Sequence, residues 1–212
     1  MNESKVRDQI VDYGRSIYER GLTHGSSGNI SVKVEDKWIV TPTNCCLGRL
    51  EPDSLSLLDQ SGNLVSGSPP TKEAFLHFIM YRSQPKANAI VHLHSTHSVA
   101  VSCLDHPEPE NVLPPITAYH VMKVGRLPLV PYYPPGDPEL AQAVGKVAST
   151  HHAVLLANHG PVVAGTSLED AVNITEELEQ TAKLSLFLKG RAYQNLNEKQ
   201  VSELESRFGS GV

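Results

Sequence analysis

The chain has 212 residues, 40% of them hydrophobic and 19% charged, a composition suited to one globular domain that buries its core without disulfide staples. Its net charge of -5 argues against nucleic acid as a partner, which proteins hold through basic patches, so any anionic ligand has to be captured by local donors. No stretch approaches the roughly 20 apolar residues of a membrane helix, and "MNESKVRDQIVDYGR" lacks the apolar segment of a signal peptide. Three cysteines, two of them the adjacent Cys45 and Cys46, suit a reducing compartment. A single domain over residues 1–212, in the cytoplasm and away from membranes, is expected.

In chain order, Val6, Ile10 and Ile17 recur at helical spacing, and Gly21 marks the end of that helix. "SSGNISVKV" reads as a Gly-punctuated turn entering a strand that alternates Ile30, Val32 and Val34, and "KWIVT" and "SLSLLD" as further short strands. "TKEAFLHFIMYRS" predicts a helix starting near Thr71, with Phe75, Leu76, Ile79 and Met80 as its buried stripe. "NAIVHLH" is a strand, followed by the helix "STHSVAVSCL", which Ser95 could cap. A proline-rich passage with short strands leads to the helix "ELAQAVGKVAST". "HAVLLANHG" is a buried strand, and "PVVAG" returns beyond a Gly turn. The longest helix, "SLEDAVNITEELEQTAKLSLFLKG", opens on Ser167 with Asp170 three residues on, a capping-box pattern. These elements predict an α/β layered domain with a mixed, mostly antiparallel central sheet flanked by helices.

Of the ten histidines, His92 and His94 stand one residue apart at the end of an apolar strand. Side chains two apart on a strand share a face, and paired imidazoles at a strand end commonly grip a divalent metal, most often zinc. Two histidines could complete a three-ligand site. His97 is near in sequence, but a helix starting at "ST" turns its side chain elsewhere. His159, in "NHG", ends the other buried strand and is favoured, because sites on α/β sheets are assembled from converging strand ends. Ser26, Ser27, Gly28 and Asn29 offer hydroxyls, an amide and exposed N–H groups, a loop able to cradle a phosphate. Thr71 and Lys72 at a helix start would add N-terminal N–H groups.

The chain resembles the class II aldolase/adducin family. "SSGNIS", "TPTN", "PTKE", "VHLHS", "AYHVM", "ANHGPVVAG" and "EELEQTAKL" follow one another in the family's order. The resemblance implies that His92, His94 and His159 bind zinc, or another divalent ion such as manganese or cobalt. It implies that Glu73 is the acid/base and touches the metal when substrate is absent, and that Tyr119 lies near the substrate. Thr41 to Asn44, with Thr43 and Asn44 foremost, and Thr71 with Lys72 match segments that contact a substrate phosphate. Two departures stand out. Asn44 replaces a glycine, a position where Asn tolerates a left-handed backbone, and Lys72 puts a positive charge beside Glu73. The motifs "PTKE", "VHLHSTHSVAVSCL" and "LPLVPYYPPGD" look most like the branch that decarboxylates 3-oxo-tetronate 4-phosphate in four-carbon sugar-acid catabolism. A fuculose-phosphate-type aldolase is the alternative and an adducin-like scaffold a distant third. The family implies a homotetramer acting on a phosphorylated small molecule.

Overall fold

Alternation in "NISVKV" sets up the two faces of the sheet. In the computed structural model, which describes residues 2–134 and 137–208, β1 (Asn29–Val34) sends Ile30, Val32 and Val34 to one face. There they pack with Val6, Ile10, Val11 and Ile17 of α1 (Glu3–Glu19). Asn29 and Ser31 consequently point to the other face, and both are buried there.

The remaining strands are β2 (Lys37–Val40), β3 (Ser56–Leu58), β4 (Leu64–Ser66), β5 (Ala89–His92), β6 (Leu129–Val130), β7 (Ala153–Leu156) and β8 (Gly160–Gly165). All lie in one eight-stranded sheet of order β4-β3-β2-β1-β5-β8-β7-β6, in which β6 and β7 run parallel and the other neighbours antiparallel. The expected mixed, mostly antiparallel α/β layering is borne out. β5 lies between β1 and β8 and is covered on both sides, which is why it reads as an unbroken apolar run. Ala89 and Val91 join the α1 cluster together with Leu168, Ala171 and Val172 of α6 (Leu168–Leu188). Ile90 packs with Leu76 and Met80 of α2 (Ala74–Ser83) and with Leu140 and Val144 of α5 (Pro138–Ala148). A third cluster joins Leu155 and Val163 to Val101 of α3 (Thr96–Ser102) and to Ile174 and Leu178 of α6. At the start of α6 the predicted cap forms, Ser167 Oγ accepting from Asp170 N at 3.1 Å.

The structure departs from expectation in four places. Residues 71–73 form a turn and α2 starts at Ala74, because Ala74 N is taken by Thr71 O and Thr71 N by Thr41 O. Its buried face is Leu76, His77, Met80 and Tyr81, one residue round from the apolar stripe Phe75, Leu76, Ile79 and Met80, because His77 and Tyr81 find polar partners on the sheet. Ser95 occupies the N-cap of α3 but gives its hydroxyl to Leu22 O. The capping passes to Glu179 of α6, whose buried carboxylate accepts from His97 N, His97 Nδ1, Ser98 N and Ser98 Oγ at 2.6–2.9 Å. Finally β4, α4 (Ala118–Lys123) and α7 (Glu198–Phe208) are not among the expected elements: β4 is exposed throughout, α4 is six residues long, and α7 contributes no buried residue although Asn197 and Gln200 cap its start reciprocally. Pro135 and Gly136 of "LPLVPYYPPGD" lie outside the described residues.

Two buried histidines make stability pH-dependent. Burial holds His77 down at about 3 and His120 at about 4. In the unfolded chain both titrate near 6.5, so below that pH the unfolded state binds more protons and stability falls as the pH falls. Each histidine contributes a slope of about 1.4 kcal/mol per pH unit down to its folded value. Melting temperatures of the metal-free protein should therefore drop steadily from pH 6.5 to 4.5; a flat profile would contradict neutral burial of both.

Candidate metal centre

The sheet order makes β5 and β8 neighbours, with His92 opposite Val162. β8 is reached through a turn at 157–159 in which Asn158 adopts φ 56° and Gly160 φ 155°. A Cβ at Gly160 would sit 2.3 Å from Leu93 O, so the turn can close onto residues 93–94 because that position has no side chain. His159 is thereby brought against His94, just past the end of β5. The strand ends at His92, so the shared-face argument does not strictly reach His94, yet the two rings lie 5.0 Å apart.

The three imidazoles converge through their Nε2 atoms. His92 Nδ1 donates to Pro161 O at 2.7 Å, which leaves a lone pair on His92 Nε2. That atom is 3.2 Å from His94 Nε2 and 3.2 Å from His159 Nε2. Glu73, at the N-cap of α2, places Oε1 3.2 Å from His159 Nε2 and Oε2 3.6 Å from His92 Nε2. One ligand atom from each of the four residues falls within 4.8 Å of all the others. Zinc–nitrogen bonds of about 2.05 Å in a tetrahedral site put nitrogens about 3.3 Å apart. The observed separations fit a divalent ion at the centre, with Glu73 at its open side.

Charge agrees with that use. Burial lowers His92, and lowers His94 to about 3 with help from His92 and His159, so these rings stay neutral and keep lone pairs available. Burial pushes the Glu73 carboxyl up, but hydrogen bonds from His159 and Asn29 outweigh it, holding the group below the usual carboxylate range.

The other predicted site residues are distributed unevenly. The segments 41–44 and 69–72 are joined by Thr43 N to Pro69 O, Thr71 N to Thr41 O and a bridge between Pro42 and Pro70. The segment holding Thr43 and Asn44 is thus paired with the one that leads through Thr71 and Lys72 into Glu73, and Asn44 and Lys72 are exposed. Asn44 adopts φ 56°, the left-handed backbone anticipated for it. Gly28 turns at φ 81° over His92 O, and Ser26 is exposed on that loop. Ser27 Oγ donates to His24 O at 2.6 Å, and Asn29 gives Nδ2 to Glu73 Oε2 at 2.7 Å. Tyr119 is 62% exposed on α4 and shares no hydrogen bond with the four converging residues. His97, the rival third histidine, faces Glu179. The sequence reading did not identify Asn29 as a partner of Glu73; its parity with Ser31 on the α2 face was the available signal.

The family model "Class II Aldolase and Adducin N-terminal domain" matches residues 8–186. The chain is 48% identical to 3-oxo-tetronate 4-phosphate decarboxylase of Haemophilus influenzae, over 98% of this chain and 99% of that protein. It is 37% identical to L-fuculose phosphate aldolase of Methanocaldococcus jannaschii, over 85% of this chain and 96% of that one. Among solved structures, YgbL of Escherichia coli superposes with a TM-score of 0.93 at 44% identity, covering 95% of this chain and 98% of that one. With an eight-stranded mixed sheet, convergent histidines and similarity along nearly its whole length, the chain belongs to the class II aldolase and adducin family.

Proposed function

We propose that this chain is a metal-dependent carboxy-lyase that converts 3-oxo-tetronate 4-phosphate to dihydroxyacetone phosphate and carbon dioxide. Near-full-length similarity to decarboxylases of that name carries the reading, and the Glu73, His92, His94 and His159 group supplies its chemistry. His92, His94 and His159 would hold the ion, zinc being the best match to three imidazoles, with manganese or cobalt as substitutes. A bound divalent ion supplies electrostatic stabilisation of negative charge that develops on substrate oxygens.

The remaining work falls to the protein's own groups. Breaking the C1–C2 bond sends its electron pair toward the C3 carbonyl oxygen, releases carbon dioxide and leaves C2 to be protonated. One proton is consumed per turnover. Glu73 is ionised at rest, and the negative charge of an arriving substrate raises its proton affinity. It then takes a proton from solvent and passes it to C2. Ser26, Ser27, Gly28, Asn29, Thr43, Asn44 and Thr71 are the proposed surroundings of the phosphate, and Tyr119 is proposed to approach the substrate. Lys72 is proposed to meet the substrate carboxylate. Lys72→Ser should raise KM for the acid about tenfold, the scale of one charge-assisted hydrogen bond, while leaving a carboxylate-free sugar phosphate unaffected in a competition assay.

The chain is proposed to act as one domain, in a cytoplasmic homotetramer. Free Cys45, Cys46 and Cys103 suit a reducing compartment, and exposed Tyr119, Tyr132 and Phe187 suit a subunit interface. The deciding experiment offers the metal-loaded protein 3-oxo-tetronate 4-phosphate and fuculose 1-phosphate separately. Both reactions yield the same triose phosphate, so carbon dioxide is the signal. One equivalent from the acid supports the decarboxylase. Triose phosphate from the sugar alone returns the chain to the aldolases, and sedimentation tests the tetramer.

A further inference from the structure

Behind Glu73 runs a chain of buried side chains in which every hydrogen bond has a determined direction. Glu73 Oε2, a carboxylate oxygen, accepts from Asn29 Nδ2 at 2.7 Å. The Asn29 amide therefore turns Oδ1 the other way, where His77 Nε2 lies at 2.6 Å. Burial keeps His77 neutral, at about 3. A neutral ring has one hydrogen, and with Oδ1 opposite Nε2 that hydrogen is on Nε2. His77 Nδ1 is then an acceptor and takes the Ser31 hydroxyl at 2.7 Å. Ser31 Oγ in turn accepts the Tyr81 hydroxyl at 2.9 Å, and burial pushes that phenol up so that it keeps its proton. The chain joins α2 to β1 twice, through residues one helical turn apart on α2 and two residues apart on β1. His77, Ser31 and Tyr81 are buried polar groups on a face otherwise filled by Leu76, Met80 and Ile90, a placement that packing alone does not explain.

We propose that His77 is a positioning residue for Glu73: its Nε2–H locks the Asn29 amide with the NH2 group toward the carboxylate, and Ser31 and Tyr81 lock His77 in that tautomer. An amide rotated by half a turn would set Asn29 Oδ1 against Glu73 Oε2, oxygen against oxygen, and the carboxylate would swing from its present place. The imidazole N–H opposes that rotation because it would then face a second donor. His77 touches neither substrate nor metal; it acts through Asn29. The inference rests on the proposed role of Glu73.

The test has two arms. In metal-free, substrate-free wild-type protein, nitrogen–proton correlation spectra should show His77 as a neutral imidazole protonated on Nε2; a proton on Nδ1, or an imidazolium at pH 7, overturns the assignment. This arm decides the inference even if 3-oxo-tetronate 4-phosphate proves not to be the substrate. In the metal-loaded protein, His77→Leu should lower kcat by 10–100-fold, the range for losing a partner that orients a ligand, with KM and metal stoichiometry unchanged. His77→Gln can still donate to Asn29 Oδ1 and should recover most of that loss. Equal losses in the two variants at matched melting temperatures overturn the proposal, as does wild-type turnover in His77→Leu. If His77→Leu does not fold, Ser31→Ala, which removes one hydroxyl, takes its place: a lower kcat at full metal content supports the tautomer lock, and an unchanged kcat rejects it.

Discussion

Glu73→Gln is expected to keep its metal and lose turnover. Three imidazoles remain to hold the ion, and glutamine retains the shape of the side chain, so metal content and melting temperature should stay close to those of the parent. Asn29 Nδ2 can still donate to the new amide oxygen, so the local hydrogen bond survives. What disappears is a group able to pick up and release a proton beside the reacting carbon. Positioned acid–base catalysis contributes about 10²–10⁴-fold, and kcat should fall by that factor with little change in KM. The assay is carbon dioxide release, with metal content measured on the same sample. Full activity in a metal-replete Glu73→Gln protein would remove Glu73 from the reaction.

His159→Ala is expected to cost the metal itself. His159 is partly exposed in a turn, so its removal opens no large cavity and the fold should persist. It leaves two imidazoles and a carboxylate, and affinity for zinc should drop more than a hundredfold, since even partners outside the ligand shell are worth 10–100-fold. Titration against a chelator of known affinity measures the loss. His97→Ala is the control, because His97 faces Glu179 and should leave metal binding intact. If His97→Ala releases the metal and His159→Ala does not, the site has been assigned to the wrong histidine.

Much of this architecture is legible from local patterns. Alternation in "NISVKV", the apolar run "NAIVHLH" and helical spacing around Ile10 and Ile17 identify β1, β5 and α1, because each buries a face whose period is imposed by its own backbone geometry. Where the period is too short or the face is unburied, the signal fails. α4 has six residues and β4 is exposed, so composition there carries little imprint of structure, whereas α7 buries none of its side chains and is marked instead by the Asn197 and Gln200 pair that caps it. The start of α2 differs from the expected one for another reason: residues 71–73 turn through local bonds to Thr71, and that residue is itself fixed by Thr71 N to Thr41 O, a partner thirty residues away.

Residue types and their spacing establish the chemistry on offer, namely two imidazoles beside each other at the end of a strand, a third after another strand and a carboxylate at the head of a helix. The order of the motifs likewise points to the family. Which groups meet is set by the packing of distant segments. That the turn before Gly160, where an added Cβ would lie 2.3 Å from Leu93 O, can close and carry His159 to His94 depends on β5 and β8 being neighbours. That Asn29 serves Glu73, that His77 is buried behind it and that Glu179 caps α3 likewise depend on partners 44 to 82 residues apart. A residue's type is local, whereas the direction of a buried hydrogen bond is set by whatever the fold brings opposite it.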